Sequence, residues 1–553
     1  MLGYWGYGDQ PKLIQKLSEL SRAKIKTQSC NQEWGFATTQ TRLSACGRSN
    51  VNDVWLNATE TSLELGRDAF GRVPLYWIKI ESVIWFSTQL APLLKLNQPT
   101  VSHAALYAYT CFSYVPTPLS PIAEITSISA GTTLTWTKDF TYTISETEDW
   151  RESSAMIYDE TEAVRQLQEL LKTAIAHQIE DLPDEPVGVF LSGGIDSSIV
   201  AALLVQSGVK VRAYALDFGV EDSELPYAQQ VADYLNIPLT LVPAQAKQII
   251  QAIPETARAL DAPYGDGVTA PLLLLNQAAS QDVRVVFNGE HGDQLFAGWT
   301  NKPLIANQVY DSENFTLSKQ YLNTFGRLHG CESQIFSNSV YQSIRELDLQ
   351  TYLGDALNPE KCGSLLAQLR RASLMLKGAQ NIQPRATALA LSQGLQVRSL
   401  FCDPDLTRWT FKIPGELMLQ GACEKYILKR AVESWLPSEV VWREKRGMRV
   451  PLRPWYYGEF WREIGKWLNP GVLRAEGRWQ PQIAEQMMSG QMGANLRDRY
   501  LGNNLWLLIM WQAWRIEVLG ESVGASSWDH PFWLPPQVWQ RVRKVRQVFE
   551  RSF

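Results

Sequence analysis

The chain has 553 residues, of which 45% are hydrophobic and 20% charged, and this length predicts roughly two to four domains. The net charge of -5 argues against a nucleic-acid-binding surface, and the chain has neither an apolar run of about 20 residues nor a signal-peptide pattern, so we expect a cytoplasmic protein that does not span a membrane. The seven cysteines and five histidines are scattered without CxxC or HExxH spacing, which argues against a disulfide framework and a zinc site.

The first 150 residues contain short runs of β-branched and aromatic residues separated by turn residues. Such runs predict strands at residues 73–80, 83–87 and 132–136. We therefore predict an all-β or α+β domain over residues 1–150, which ends in the polar stretch 145–149.

Strand and helix patterns alternate in the next part of the chain. A long amphipathic helix is predicted at residues 161–180. Strands are predicted at 187–191, 209–216, 239–242 and 283–287, and helices at 197–206, 225–235 and 246–260. This alternation predicts a parallel sheet with helices on both faces, whose ligands bind beyond the carboxyl ends of the strands. Residues 300–520 are predicted to be mostly helical, so the second domain is expected over 151–520, followed by a tail at 521–553.

The segment after the first of these strands carries the most informative chemistry. Ser192-Gly-Gly-Ile-Asp-Ser197 leads directly into an apolar helix. Gly193 and Gly194 let backbone N–H groups approach an anion, and the helix start adds unpaired N–H groups and partial positive charge. Asp196 would repel a bare phosphate, which predicts a Mg²⁺ between them. The segment thus predicts a cradle for pyrophosphate and metal, and it is neither a Walker loop nor a dinucleotide-binding fingerprint.

This segment resembles the signature loop of ATP pyrophosphatases, a group that includes asparagine synthetase, GMP synthetase and argininosuccinate synthetase. The resemblance implies that ATP is split between its α and β phosphates. A substrate oxygen attacks the α phosphorus, and the loop holds the departing pyrophosphate.

Four later segments narrow the resemblance to the asparagine synthetase family. They resemble the family's SGxGxDExFGG, SLEVRxPFLD, KxxL[RK]xA and LPxEIxxRxKxGFxxP segments, and they lie at residues 285–298, 394–403, 424–432 and 436–452. The resemblance implies that Asp293 contacts metal and pyrophosphate, and that Lys445 stabilises the charge that develops around the adenylate and the tetrahedral intermediate.

The sequence departs from the family pattern in places. His291 stands where a small residue is usual, and we expect it to face solvent rather than to act in catalysis. Gln294 stands where an acid is usual. Lys425 and Lys429 share a helix face, a pattern that a solvated helix would show equally.

The N-terminal region also resembles this family, more weakly. Residues 65–76 resemble its LxRDxxGxKPLYY segment and residues 86–93 its FASExKAL. Glutamine-using members carry a nucleophilic Cys at residue 2, whereas this chain has Leu2, and the RGPD and NGEIYN segments of the glutamine pocket are missing. If Met1 is the natural start, the resemblance implies a degenerate glutaminase-like domain that cannot release ammonia from glutamine.

The source of the amine stays open among three alternatives. An amine on the substrate attacks the adenylate, as in lasso-peptide cyclases and β-lactam synthetases; free ammonia is used; or a separate protein supplies ammonia. Val268 and Lys302 stand near the Tyr and Glu of the β-lactam enzymes, which weighs against that subgroup. Tyr264, Asp266 and Glu290 are candidate bases, each equally open to a structural role. A catalytically inactive scaffold is the alternative from another class, and the retained loop residues argue against it.

The predicted fold class is α/β, with a degenerate Ntn-type glutaminase-like β-sandwich, a parallel-sheet synthetase domain of the adenine-nucleotide α-hydrolase type and a helical C-terminal part. The predicted function is that of an ATP-dependent, AMP-forming carbon–nitrogen ligase that works through an acyl-adenylate. Its cofactors are ATP and Mg²⁺, and its partners are a small-molecule or peptide carboxylate and an amine or ammonia donor, with a homodimer or a partner protein left open. The predicted site residues are Lys445 and Glu290 for catalysis, Asp196 and Asp293 for metal, and Leu191, Ser192, Gly193, Gly194, Asp196, Ser197, Leu216 and Gly289 for ATP.

Overall fold

The N-terminal part of the chain forms two antiparallel sheets. The computed structural model describes residues 1–21, 24–29, 34–48, 51, 53–220, 224–298, 316–325, 327–444, 447–490, 492 and 501–541. The strands of the two sheets are β1 Leu2–Tyr7, β2 Lys26–Ser29, β3 Trp34–Thr38, β4 Arg42–Leu43, β5 Val54–Ala58, β6 Ser62–Arg67, β7 Tyr76–Ile80, β8 Val83–Ser87, β9 Thr126–Ser127, β10 Thr132–Thr137 and β11 Tyr142–Glu146. The first sheet has the order β2-β3-β1-β8-β7-β9, and the second has the order β11-β10-β6-β5-β4. The β-branched and aromatic residues of these strands pack in one core, with Trp5 and Leu65 completely buried.

Short helices flank these sheets, and two of them begin at a local capping side chain. The helix α1, Gln10–Leu20, is capped by Asp9, which accepts a hydrogen bond from the backbone N–H of Lys12. The helices α2, Leu90–Leu94, and α3, His103–Phe112, follow the first sheet. In α3 the cap is Ser102, whose Oγ accepts from the N–H of Ala105.

The next part of the described chain builds a sheet of five parallel strands. These are β12 Val187–Phe190, β13 Val211–Asp217, β14 Leu239–Pro243, β15 Val285–Asn288 and β16 Gln396–Ser399, in the order β14-β13-β12-β15-β16. The helices that connect or cover them are α4 Glu160–Ile179, α5 Ile195–Gln206, α6 Leu225–Leu235, α7 Ala246–Leu260 and α8 Thr269–Ala279. The strand order reverses between β12 and β15, and a crevice opens beyond the carboxyl ends of strands at such a point.

The remaining described chain is mostly helical. Its α-helices are α9 Gly292–Leu295, α10 Leu317–Phe325, α11 Glu332–Ile335, α12 Asn338–Ile344, α13 Leu365–Ala372, α14 Gln383–Ser392, α15 Pro404–Thr410, α16 Gly415–Met418, α17 Tyr426–Val432, α18 Ser438–Val441, α19 Leu452–Tyr456, α20 Trp461–Trp467, α21 Pro470–Glu476, α22 Ile483–Ser489 and α23 Leu501–Glu517. A π-helix spans Ser373–Ile382, 3₁₀ helices span Leu349–Leu357 and Pro531–Trp533, and β17 Leu419–Gln420 pairs with β18 Cys423–Glu424. None of the helices in the described ranges has the length and apolar character needed to cross a bilayer.

The predicted fold class is confirmed. The helices predicted at 225–235 and 246–260 have those limits, and the predicted parallel strands end within two residues of the observed ones. The fifth strand, β16, was not predicted, because its four residues are ordered mainly by pairing with β15. The domain limits at residues 150 and 520 stay predictions.

A loop of the N-terminal sheets reaches into the part of the molecule that contains the parallel sheet. The buried guanidinium of Arg67 donates hydrogen bonds of 2.8 Å to the carbonyl oxygens of Gly71, Val73 and Ile128, which fixes the loop 68–75. At its tip Phe70 is buried in the core of the parallel sheet rather than in that of its own sheets. The N-terminal region therefore supplies part of its neighbour's interior.

The Gly71→Ala variant tests this contact, and we expect it to lose more stability than a control variant at Gly131. Gly71 has a φ of +65°, and a Cβ there would overlap the carbonyl oxygen of Ala379 in the π-helix. Gly131 is a matched control, because its φ is +69° but a Cβ would meet nothing closer than 3.5 Å. Both variants carry the strain of a left-handed alanine, whereas Gly71→Ala also carries an overlap that costs about 1–3 kcal/mol. Chemical denaturation should show that difference, and equal losses of stability would contradict the contact.

Candidate active site

The loop between β12 and α5 lies at the point where the strand order reverses. Its polar groups bond to one another: Gly194 N–H donates to Ser192 Oγ at 3.2 Å, Ser192 N–H donates to Ser197 Oγ at 3.2 Å, and Ser198 Oγ donates to the Gly194 carbonyl at 2.8 Å. No side chain caps the first turn of α5. The N–H groups of that turn, with their partial positive charge, are therefore available to an anion.

Gly193 gives this loop its shape. Its φ is +72°, and a Cβ there would lie 2.5 Å from the backbone nitrogen of Ala228 and 2.7 Å from the carbonyl carbon of Tyr227. A side chain would thus be strained and would also collide with the start of α6. Only glycine lets the loop lie this close to the neighbouring helix.

The loop that follows β15 packs directly against this first loop. A Cβ on Gly289 would lie 2.7 Å from the backbone nitrogen of Ser197, and a Cβ on Gly292 would overlap Oδ1 of Asp196. Ser399, on the next strand, donates a hydrogen bond of 3.0 Å to the carbonyl of Glu290. The two glycines therefore allow the side chains of Asp196 and Asp293 to approach the same point.

Lys425 joins these two carboxylates. Its ammonium bonds to Oδ2 of Asp196 and lies 2.5 Å from Oδ1 of Asp293, and its side chain is only 1% exposed. Burial alone would lower the pKa of Lys425, but the two carboxylates raise it above its ordinary value, so the ammonium stays charged. The site thus holds a buried cation between two acids.

A cavity of about 290 Å³ opens above these groups. Its lining includes the apolar residues Phe190, Leu191, Leu216 and Leu272 and the basic residues Lys425, Lys429, Arg443 and Arg449. Apolar side chains suit a planar base, and basic side chains suit phosphates. The cavity therefore has both kinds of lining residue that a nucleotide needs.

Most of the predicted site residues meet at this cavity. Those that line it are Leu191, Ser192, Gly194, Asp196, Ser197, Leu216, Gly289, Glu290 and Asp293. Gly193 contributes only its turn, as described above. Lys445 lies outside the described residues, as does Lys302. The neighbouring Gly447, Met448 and Arg449 line the cavity, so the chain on one side of Lys445 reaches it.

The expectation that His291 faces solvent is wrong. Its side chain is 1% exposed, in a left-handed residue with φ of +79°, and its ring packs edge-on against Phe70 at 5.7 Å. Gln383 Nε2 lies 2.8 Å from His291 Nδ1. Burial, with a smaller contribution from Arg72, lowers the pKa of His291 to about 3, so the ring is neutral. The interior position arises because the loop around Phe70 covers it, a contact that local sequence does not encode.

The three candidate bases differ in position. Glu290 lines the cavity, whereas Tyr264 and Asp266 are buried and do not line it. Burial raises the pKa of Tyr264 to about 12. Burial also opposes ionisation of Asp266, but Arg327, Lys377 and Arg385 outweigh it and lower its pKa to about 2. Asp266 is therefore held as a paired carboxylate, and Glu290 is the candidate base that lines the cavity.

Sequence reasoning gave Lys425 and Lys429 no role at the site. Both are buried, Lys429 with its Nζ 3.2 Å from the carbonyl of Arg443, so the solvated helix face, one of the two interpretations that the spacing left open, does not hold for them. The available signal was their place in the segment that resembles the family's KxxL[RK]xA helix. Helical spacing alone could not distinguish burial from exposure.

The acidic residues at the cavity fit a magnesium ion bound together with phosphate. Oδ1 of Asp196 is buried and has no hydrogen-bond partner, which suits a metal-facing oxygen. No group of three or more His, Cys, Asp or Glu side chains in the described part of the chain could hold a metal alone. Mg²⁺ commonly uses one or two carboxylates and completes its shell with phosphate oxygens and water. Asp196 and Asp293 supply such a partial shell.

Comparison with known proteins agrees with this architecture. The family model described as asparagine synthase matches residues 166–516, and that of a glutamine amidotransferase domain matches residues 34–147. Asparagine synthetase [glutamine-hydrolyzing] 1 of Bacillus subtilis is 24% identical over 435 residues, which cover 73% of this chain and 68% of the relative. A putative asparagine synthetase of Mycobacterium bovis is 23% identical over 518 residues, covering 85% and 76%. Among solved structures, an NH3-dependent NAD synthetase from Campylobacter jejuni is 14% identical, covers 39% of this chain and 96% of its own, and gives a TM-score of 0.20.

Proposed function

Because the chain belongs to the asparagine synthase family, an ATP-dependent group of carbon–nitrogen ligases, we propose that it activates a carboxylic acid as an acyl-adenylate. In the first step a carboxylate oxygen attacks the α phosphorus of ATP, and the bond to the bridging oxygen breaks to release pyrophosphate. In the second step an amine or ammonia attacks the acyl carbon, and AMP leaves as the amide forms.

One observation carries this proposal: the two strand-end loops and Lys425 converge on a cavity that is lined by both apolar and basic side chains. The unpaired N–H groups of α5 and the turn at Gly193 suit the β and γ phosphates. Leu191 and Leu216 suit the adenine, and Glu290 suits a base that takes a proton from the attacking amine. Lys445 is proposed, from the sequence resemblance alone, to stabilise the charge of the transition state.

Asp196 and Asp293 would hold the magnesium ion. When bound, it neutralises phosphate charge and so stabilises the leaving pyrophosphate. The uncapped first turn of α5 and the turn at Gly193 would orient the phosphates of the bound nucleotide.

The proposed nitrogen source is an amine or ammonia that does not come from the N-terminal region. Leu2 occupies the position that the resemblance gives to a catalytic thiol, and its side chain is buried in β1 between β3 and β8. An aliphatic side chain at this place offers no nucleophile for the glutamine amide.

The expected result with ATP, Mg²⁺ and a panel of carboxylic acids is exchange of labelled pyrophosphate into ATP with at least one acid. AMP should accumulate when ammonium or an amine is added, whereas glutamine should not replace them. The glutamine-hydrolysing synthetase of Bacillus subtilis serves as the positive control for glutamine. Formation of ADP instead of AMP would overturn the proposed chemistry, and amide formation from glutamine would overturn the proposed nitrogen source.

A further inference from the structure

The bridge from Lys425 involves both carboxylates that a metal would use, through Oδ2 of Asp196 and Oδ1 of Asp293. Asp196 comes from the first turn of α5, Asp293 from α9, and Lys425 from the residue before α17. The three side chains therefore converge from separate parts of the chain, which makes the bridge a property of the folded site rather than of a local sequence.

Packing holds the lysine in this position. Lys425 has a left-handed backbone with φ of +58°, and its side chain runs against the backbone of Gly298. A Cβ on Gly298 would overlap Cε of Lys425 and would lie 2.5 Å from Oδ1 of Asp293. The ammonium is thus fixed at the carboxylates, and its side chain is almost inaccessible to solvent.

The charge of the Lys425 ammonium affects the binding of a divalent cation to the two carboxylates. With the lysine in place, the two carboxylates already have one buried counter-ion. A metal ion that entered alone would face the ammonium at short range and would leave excess positive charge in a buried site, which is unfavourable. A triphosphate reverses this balance, because its oxygens complete the metal's shell and offer the ammonium a second anionic partner in the same cavity.

We propose that Lys425 excludes a divalent cation from Asp196 and Asp293 until the triphosphate is bound, so that metal and nucleotide enter together. This inference rests on the proposed function, because it takes the two carboxylates as the metal site. Lys425 acts here as a positioning residue for the acids in the empty enzyme, and nucleotide binding releases them.

Binding of Mn²⁺ to the full-length protein tests this proposal directly. Free Mn²⁺ is measured by electron paramagnetic resonance, with and without α,β-methylene-ATP, for the unaltered protein, Lys425→Met and Lys429→Met. Lys429 is the matched control, because it lines the same cavity but bonds to a backbone carbonyl and not to the acids. Without nucleotide, Lys425→Met should bind Mn²⁺ at least about tenfold more tightly than the unaltered protein, a difference of about 1.4 kcal/mol. In the absence of nucleotide, Lys429→Met should bind Mn²⁺ no more tightly than the unaltered protein does.

The outcomes are distinct. Equal Mn²⁺ binding by the unaltered protein and Lys425→Met in the absence of nucleotide overturns the exclusion, while nucleotide-dependent binding by both would leave the proposed function standing. No Mn²⁺ binding to the unaltered protein even with the ATP analogue overturns the proposed metal site and the inference with it. Lys425→Arg provides a second variant that keeps the charge and should still exclude Mn²⁺. Thermal melting with Mn²⁺ confirms folding, and only Lys425→Met should be stabilised by the metal alone.

Discussion

Replacement of Asp196 by Asn is expected to slow the release of AMP and pyrophosphate by about 100- to 1,000-fold. Asp196 has one oxygen bonded to Lys425 and the other buried without a partner at the cavity. Asparagine keeps the volume but removes the charge that would hold the metal against the phosphates, and loss of one preorganised electrostatic group commonly has an effect of this size. Pyrophosphate release is measured with a coupled assay at saturating ATP and Mg²⁺.

Asp184→Asn is the control for that measurement. Asp184 forms an ion pair of 2.9 Å with Lys210, but its side chain is 93% exposed, so its replacement should leave the rate unchanged. Circular dichroism should show the fold retained in both variants. Undiminished pyrophosphate release by Asp196→Asn would remove this carboxylate from the mechanism.

Replacement of Glu476 by Ala should destabilise the protein by about 3–5 kcal/mol, because it leaves buried partners without their charge. The carboxylate is 0% exposed and accepts hydrogen bonds from Nε1 of Trp479 at 3.1 Å, from Nε1 of Trp511 at 3.0 Å and from Nε2 of Gln512. Arg478 lies 3.2 Å away and Arg515 lies 3.5 Å away. One acid thus satisfies donors from two segments of the C-terminal helical region, residues 478–479 and the helix Leu501–Glu517.

The free energy of unfolding in denaturant measures this loss. Glu169→Ala is the matched control, because Glu169 pairs with Lys172 at 3.4 Å but is 63% exposed, and its loss should cost less than about 0.5 kcal/mol. Glu476→Gln, which keeps the acceptor oxygen and loses the charge, should fall between them. Equal stability of Glu476→Ala and Glu169→Ala would show that the packing of Trp479 and Trp511 does not depend on this acid.

Much of the nucleotide-binding half could be predicted from sequence because its signals are local. The alternation of apolar strands and amphipathic helices gave the limits of helices such as Leu225–Leu235, and glycine and serine after a buried strand marked the loop at Ser192. The convergence of that loop with Asp293 also followed from topology, since carboxyl ends of parallel strands share one edge.

The features that sequence missed depend on contacts between distant segments. Lys425 is buried only because Asp196, which stands more than two hundred residues earlier, neutralises it. His291 is buried because Phe70 comes from another part of the molecule. β16 forms because β15 offers an open edge. The chain has 21 tryptophans, and the sequence does not indicate their role. The hydrogen bonds from Trp479 and Trp511 to Glu476 give two of them a structural role.

The burial of Phe70 in the neighbouring core bears on how such a chain evolves. On the proposed nitrogen source, the N-terminal region performs no catalysis of its own, and such a region is ordinarily free to be lost. Its deletion here would leave a hole beside His291. Selection would then preserve the residues of the N-terminal region that pack against the parallel-sheet core, while the residues of its own pocket vary. We expect homologues that share the Leu2 substitution to vary freely around that residue, and to keep an aromatic side chain at Phe70 and glycine at Gly71.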